Sequence, residues 1–308
     1  MQYFSTVIPY VLWMLAYIGV GFLVVKARWG ESAHGRTVSG ILIYICAPAM
    51  VLRAFQTMPY DAAEMGRVGL FFLVSLLIQL LIIGLMCLLL HKRYVDARYR
   101  ILSISTVLGN VGFLGLPLVT SLFPEQPIVA CYGTAYVLSM NLIVFTVGVF
   151  LITRDKRYMS LRAAVLNPTT LSILAALMLY LVRVRLPEGV MDQVNLLARM
   201  TTPLCMIVLG MRLAAVDLKA LFTRPYAYVG SLLKLIAYPL AAYLCVYFIP
   251  GLDRAFKASI LVLSAVPSAS IVLSLAELHR CEQENAASTL LMSTLLCAVT
   301  IPLVLLVL

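Results

Sequence analysis

The chain has 308 residues, 63% of them hydrophobic and 12% charged, with a mean hydropathy of +1.01. A soluble domain carries roughly 45–50% apolar and about 25% charged residues, so no water-soluble surface can be built here and the solvent must be a bilayer. The formal net charge of +10 would suggest nucleic acid in a soluble protein, but these basic residues lie between apolar runs, where they anchor topology.

A helix needs about 20 apolar residues to cross the roughly 30 Å hydrocarbon core. In chain order the candidates are 3–25, 37–57, 67–90, 99–121, 127–152, 161–182, 193–214, 225–249, 256–277 and 284–307, ten spans. The first is not read as a cleaved signal peptide, because no basic residue precedes it and it is too long for an h-region. Span four contains "VLGNVGFLGLPLV" (107–119), which puts Gly109, Asn110, Gly112, Gly115 and Pro117 into one crossing. Span nine contains "SAVPSASIVLS" (264–274), with Pro267 flanked by Ser264, Ser268 and Ser270. The seven cysteines are scattered without C-x-x-C spacing and are expected to pack as small apolar side chains. His34, His91 and His279 fall in or beside loops without a partner at ligand spacing, so neither a metal site nor a cofactor is expected.

Loop charge sets orientation. The loops after odd-numbered spans hold Lys26, Arg28, Arg36, Lys92, Arg93, Arg98, Arg100, Arg154, Lys156, Arg157, Arg162, Arg212, Lys219, Arg224 and Arg280. The opposite side holds Arg53, Arg67, Arg183, Arg185, Arg199, Arg254 and Lys257. By the positive-inside rule both termini are extracytoplasmic in a multi-pass inner or plasma membrane protein. Arg53 and Arg212, at span ends, read as interfacial anchors.

Shifting the chain by 159 residues overlays 1–149 on 160–308 without a gap. Pro9 then meets Pro168, Cys46 meets Cys205, Ser105 meets Ser264 and Arg53 meets Arg212. Five spans fall on five spans. Because five is odd, the second copy enters from the other side, which predicts an inverted repeat: 1–152 as the first five-helix unit and 160–308 as the second. The breaks in spans four and nine coincide under this shift. Pro lacks an N–H and Gly weakens a helix, and each backbone group left unpaired in lipid costs several kcal/mol. Both breaks must therefore lie inside protein or face a cavity. Two such broken helices can cross at mid-membrane and present half-helix N-termini that favour an anion such as a carboxylate.

"GNVGFLGLPLV", "VPSAS", "TPLCMIVLGMRLA" (202–214) and "ASTLLMSTLLCAVTIPL" (287–303) resemble the auxin efflux carrier family, which includes plant PIN-type auxin carriers and bacterial malate-permease-like proteins. The resemblance covers essentially the whole chain. It implies an all-α fold of ten helices in two inverted repeats, with crossover helices four and nine, related to bile-acid and sodium–proton transporters. It also implies a homodimer through helices two and seven, and elevator motion of a transport domain (spans 3–5 and 8–10) against a scaffold (spans 1, 2, 6 and 7). In PIN-type carriers an Asn just after a Pro in the first crossover meets the substrate carboxylate. Here that Asn corresponds to Asn110, and Gly109 replaces the Pro. The long hydrophilic loop of many plant members is absent.

Residue by residue, the substrate is expected against Gly109, Asn110, Val111, Asn141, Pro267, Ser268 and Ser270, with Gly112, Gly115, Pro117 and Ser264 shaping the crossing. Asn141 reads equally as a helix–helix hydrogen bond. Lys234 is the basic residue well inside a span. Burying it costs roughly 2.5–3.5 kcal/mol, so it attracts an anion, caps opened carbonyls, or snorkels to the surface. All thirteen acidic residues lie in loops or near span ends, which argues against an Asp-based proton relay and, with no mid-span His, against an intramembrane enzyme. The reading is a carrier of a small organic anion. A sodium-coupled anion symporter of bile-acid type and an anion channel are the alternatives.

Overall fold

A computed structural model describes residues 2–216 and 221–308, with side chains from Pro9 onward. Lys219, counted among the basic loop residues, lies outside the described residues. Regular structure among the described residues is helical, save one isolated antiparallel bridge. We number the segments α1 (Gln2–Lys26), α2 (Ser32–Thr57), α3 (Ala62–Leu89), α4 (Ala97–Val107), α5 (Val111–Leu122), α6 (Ile128–Thr153), α7 (Lys156–Leu181), α8 (Glu188–Ala214), α9 (Pro225–Tyr247), α10 (Arg254–Ser264), α11 (Ser270–Leu278) and α12 (Gln283–Val307). Eight of these are long and apolar enough to cross a membrane, and Val111–Leu122 is a shorter apolar helix. The protein is thus a multi-pass membrane protein. The two expected spans at 99–121 and 256–277 are each split, into α4 and α5 and into α10 and α11.

Proline explains much of the local geometry. Its ring clashes with the carbonyl four residues back, and a wider i→i−5 turn relieves that clash. Among the described residues such turns occupy Leu42–Cys46, Val111–Gly115, Val144–Gly148 and Leu233–Ala237, and Pro48, Pro117 and Pro239 follow two residues after all but Val144–Gly148. The helices therefore continue past their prolines with a local change of phase.

Side chains are sorted against lipid rather than water. On α3, Leu73, Leu77, Leu81, Leu85 and Leu88 form an exposed stripe, whereas Phe71, Ser75, Ile78, Gln79 and Ile82 are buried. Ser75 and Gln79 reach Ser139 on α6 at 3.0 and 2.8 Å. Phe71 stacks on Tyr132 of α6 at 4.5 Å and meets Phe256 of α10 edge-on at 4.8 Å. On the opposite side, Arg185 donates to the Gln56 and Met58 carbonyls at the end of α2, and the Gln56 side chain donates to the Val184 carbonyl and accepts from the Leu186 N–H. Of the expected cytoplasmic anchors, Arg100 and Arg154 both donate to the Tyr94 carbonyl at 2.9 Å, so they hold the 90–96 loop in shape. There Asp96 caps α4, and hydrogen bonds from the Arg98 side chain and backbone hold its carboxyl below the usual carboxylate range.

Helices α1 and α8 touch backbone to backbone. A Cβ on Gly21 would stand 2.0 Å from the Ile207 carbonyl oxygen, and one on Gly210 would stand 2.0 Å from that of Ile18. Close approach through small residues is the usual basis of helix association in lipid, where no hydrophobic driving force separates helix from solvent. Gly19, by contrast, has open space around it. Gly21→Ala and Gly210→Ala should each destabilise the purified protein by about 1–3 kcal/mol or more, whereas Gly19→Ala should be neutral or stabilising. Thermal unfolding in detergent reads the difference. Equal melting temperatures for all three would show that the helices do not meet there.

Candidate functional site at the crossing of two broken helices

The sequence breaks meet. Leu108 and Ala269 are extended, and Leu108–Asn110 and Pro267–Ala269 lie antiparallel, with Gly109 paired to Ser268. The Asn110 N–H donates to the Pro267 carbonyl at 2.8 Å, and the Ala269 N–H donates to the Leu108 carbonyl at 2.9 Å. The paired residues Gly109 and Ser268 lie 159 positions apart, and each of the two bonds maps onto the other under that shift. Ser293 of α12 supports the second strand by accepting from the Ser268 N–H at 3.1 Å.

Beyond the bridge, α5 starts at Val111 and α11 at Ser270, so both helix N-termini open at the crossing. Free N–H groups and the positive end of the dipole gather there. The C-termini of α4 and α10 carry the opposite problem, carbonyls that a continuing helix would have paired. Lys234 solves it: its ammonium donates to Val107 at 3.4 Å and to Ser264 at 3.2 Å. It also sits 4.7 Å from the centroid of the Tyr238 ring, and Tyr238 bonds Tyr136 of α6. Lys234 is 0% exposed. Of its three sequence readings, capping is the one that these bonds and the burial of the ammonium match. Gly109 makes room for it, since a Cβ there would lie 2.9 Å from the Lys234 Nζ and 2.9 Å from Val266.

The remaining expected residues separate by what their side chains touch. Asn110 is 7% exposed, and its amide nitrogen faces the Cys205 sulfur at 3.6 Å, a weak partner that leaves most of its hydrogen-bonding capacity free. Asn141 spends its amide on Thr170 of α7 at 3.1 Å, the helix–helix bond of its alternative reading. Ser264 turns its hydroxyl back to Ile260 at 2.6 Å, and Val111 is fully buried, so neither presents a polar group to a ligand. Ser270 is half-buried at the first turn of α11, and Pro267 contributes its carbonyl. Gly112 is half-buried, whereas Gly115 lets α5 press on Leu263 of α10, where a Cβ would lie 3.1 Å away.

Sequence reasoning missed Cys205, Thr202, Ser293 and Tyr238. Thr202 bonds the Phe113 carbonyl inside the wide turn of α5 at 3.1 Å. Single hydroxyls and thiols in a leucine-rich helix carry no pattern, so nothing local marked them. Beside the crossing a cavity of about 730 Å³ opens between α1, α2, α8 and the wall formed by α5 and the start of α6, with Pro117 and Thr202 in its lining. Among the described residues no three His, Cys, Asp or Glu gather as metal ligands.

An all-helical membrane protein with two broken helices pinned together at mid-chain, beside a cavity, has the architecture of a membrane transporter. The family model described as membrane transport protein matches residues 6–160 and 152–305. The chain belongs to that family, the auxin efflux carrier family resembled by its crossover sequence. An uncharacterized transporter of Methanocaldococcus jannaschii is 26% identical over 276 residues, an alignment covering 86% of each chain.

Lys234→Met should orphan two buried carbonyls and lower stability by about 1–3 kcal/mol. Gly109→Ala should produce a similar loss by pushing the ammonium away. The double variant should cost less than the sum of the two, because both disturb the Lys234 contact while only Gly109→Ala also presses on Val266. Fully additive losses in thermal unfolding would show that Gly109 and Lys234 act separately.

Proposed function

We propose that the protein is a secondary carrier of a small organic anion, a carboxylate such as malate or an indole acid, which it binds where α4–α5 crosses α10–α11. The observation that carries this reading is the reciprocal bridge, which gathers two helix N-termini and the underused Asn110 amide at one point. Such a point favours negative charge. In this reading the chain crosses the membrane ten times as two inverted repeats, 1–152 and 160–308, and the 159-residue separation of the bridged pair supports that symmetry. Helices α1, α2, α7 and α8 form the scaffold and the rest a transport domain that moves by an elevator step. The homodimer forms through α2 and α8.

The position of Lys234 bears on coupling. In carriers with broken helices, half-helix C-termini and unwound carbonyls commonly hold the coupling cation. Here an ammonium fixed to α9 fills that role at Val107 and Ser264. This favours export driven by membrane potential, worth roughly 2.3 kcal/mol per charge per 100 mV, over sodium symport.

Saturable counterflow of a labelled carboxylate in proteoliposomes tests carrier against channel. Asn110→Leu should weaken affinity about ten- to a hundred-fold by removing one hydrogen bond to a charged group, with stability near wild type. Replacing sodium by choline should leave the rate unchanged. Wild-type transport by Asn110→Leu would exclude the crossing as the binding site.

The orientation follows the basic loops, with both termini extracytoplasmic. Single cysteines placed in 91–96 and 154–160 should react with an impermeant maleimide only after the membrane is opened. Labelling of both loops in intact cells would reverse the topology.

A further inference from the structure

The cavity holds two cations that neither the crossing nor the helix caps use. Arg53, from α2, and Arg199, from α8, both line it, near enough for their charges to repel. Its lining contains no Asp or Glu. The ion pairs among the described residues are Arg67–Asp253, Arg98–Asp96, Arg157–Asp155 and Arg224–Glu284, so neither guanidinium has an acidic partner there. Arg53 is partly buried and Arg199 exposed, and the partly open cavity they share is lined also by the rings of Tyr10, Trp13 and Tyr17. Two like charges held together without a counterion raise the energy of the empty state, and an anion relieves it. A guanidinium binds a carboxylate through paired N–H donors, which is stronger than a neutral hydrogen bond.

We propose that Arg53 and Arg199 form a second carboxylate site, fixed to α2 and α8, that receives the anion before it reaches the crossing. The proposal rests on the reading of the protein as an anion carrier. Geometry connects the two sites. The cavity wall includes Leu116 and Pro117 of α5, whose first residue opens at the bridge, and Thr202 links that wall to α8 through the Phe113 carbonyl. An anion held by the arginines lies against the helix that leads to Asn110.

The test uses the full chain, purified and delipidated in a non-ionic detergent, with benzoate as the probe and sodium chloride at matched ionic strength as the control. Benzoate should raise the melting temperature saturably beyond chloride. Arg53→Gln and Arg199→Gln should each weaken its apparent affinity about ten- to a hundred-fold. In the wild type, benzoate should also shield Arg53 and Arg199 from phenylglyoxal, read by peptide mass spectrometry, a measurement that needs no variant to fold. Asn110→Leu should keep this shielding while losing transport. No shielding by benzoate, or an unchanged affinity in both arginine variants, overturns the proposal. If benzoate binding then depends on Asn110 alone, the crossing reading survives without it. If the arginine variants lose binding while Asn110→Leu transports normally, this site stands and the crossing reading falls. Shielding by phosphatidylglycerol but not by benzoate would assign the guanidiniums to a lipid headgroup and also overturn it.

Discussion

A backbone group that opens inside hydrocarbon must find a partner within the protein, because no water is there to serve. The structure around the crossing follows from that constraint. Breaking one helix exposes N–H and C=O groups, and the second broken helix supplies their partners through the Asn110–Pro267 and Ala269–Leu108 bonds. Each break therefore makes the other tolerable, and neither segment could stand interrupted alone. The carbonyls that the bridge does not reach fall to Lys234, whose charge is in turn accommodated by the two helix C-termini and the face of Tyr238. A lysine at that depth is normally a liability. Here it is one member of a set in which every partner is already buried.

The same constraint explains why polar side chains occur where they do. Ser75, Gln79 and Ser139 bond one another between α3 and α6 rather than facing lipid, and Asn141 joins Thr170 across α6 and α7. Where no polar pair is present, helices approach through glycine, as at Gly21 and Gly210, and dispersion replaces hydrogen bonding as the attraction. Leucine stripes on α3 are left for the lipid. The pattern is the reverse of a soluble protein only at the surface; inside, close packing and paired polar groups remain the rule.

Helix α5 joins these themes to function. It begins at the bridge, is widened by the turn that Pro117 requires, presses on α10 through Gly115, and forms a wall of the cavity that Arg53 and Arg199 line. Its link to α8 through Thr202 is a single side-chain bond at a partly exposed position. A contact so light can be broken and remade, unlike the backbone contact between α1 and α8.

The sequence by itself determined the solvent, the apolar runs and the two breaks. Apolar run length and loop charge are local quantities, and Gly, Pro and Asn disrupt a helix wherever it packs. Asn110 and Pro267 were visible for that reason, as was the shift of 159 residues that brings their segments into register. It left Lys234 with three readings and Asn141 with two, because one chain position does not say which helix lies opposite. It read Arg53 as an interfacial anchor from its place near a span end. Only the tertiary structure decided that Lys234 closes two helix ends, that Asn141 is engaged by Thr170, and that Arg53 and Arg199 line one cavity. Those outcomes depend on side chains brought together from different helices, 29 residues apart for Asn141 and Thr170 and more than a hundred for the α2 and α8 arginines, and composition along the chain carries no record of that proximity.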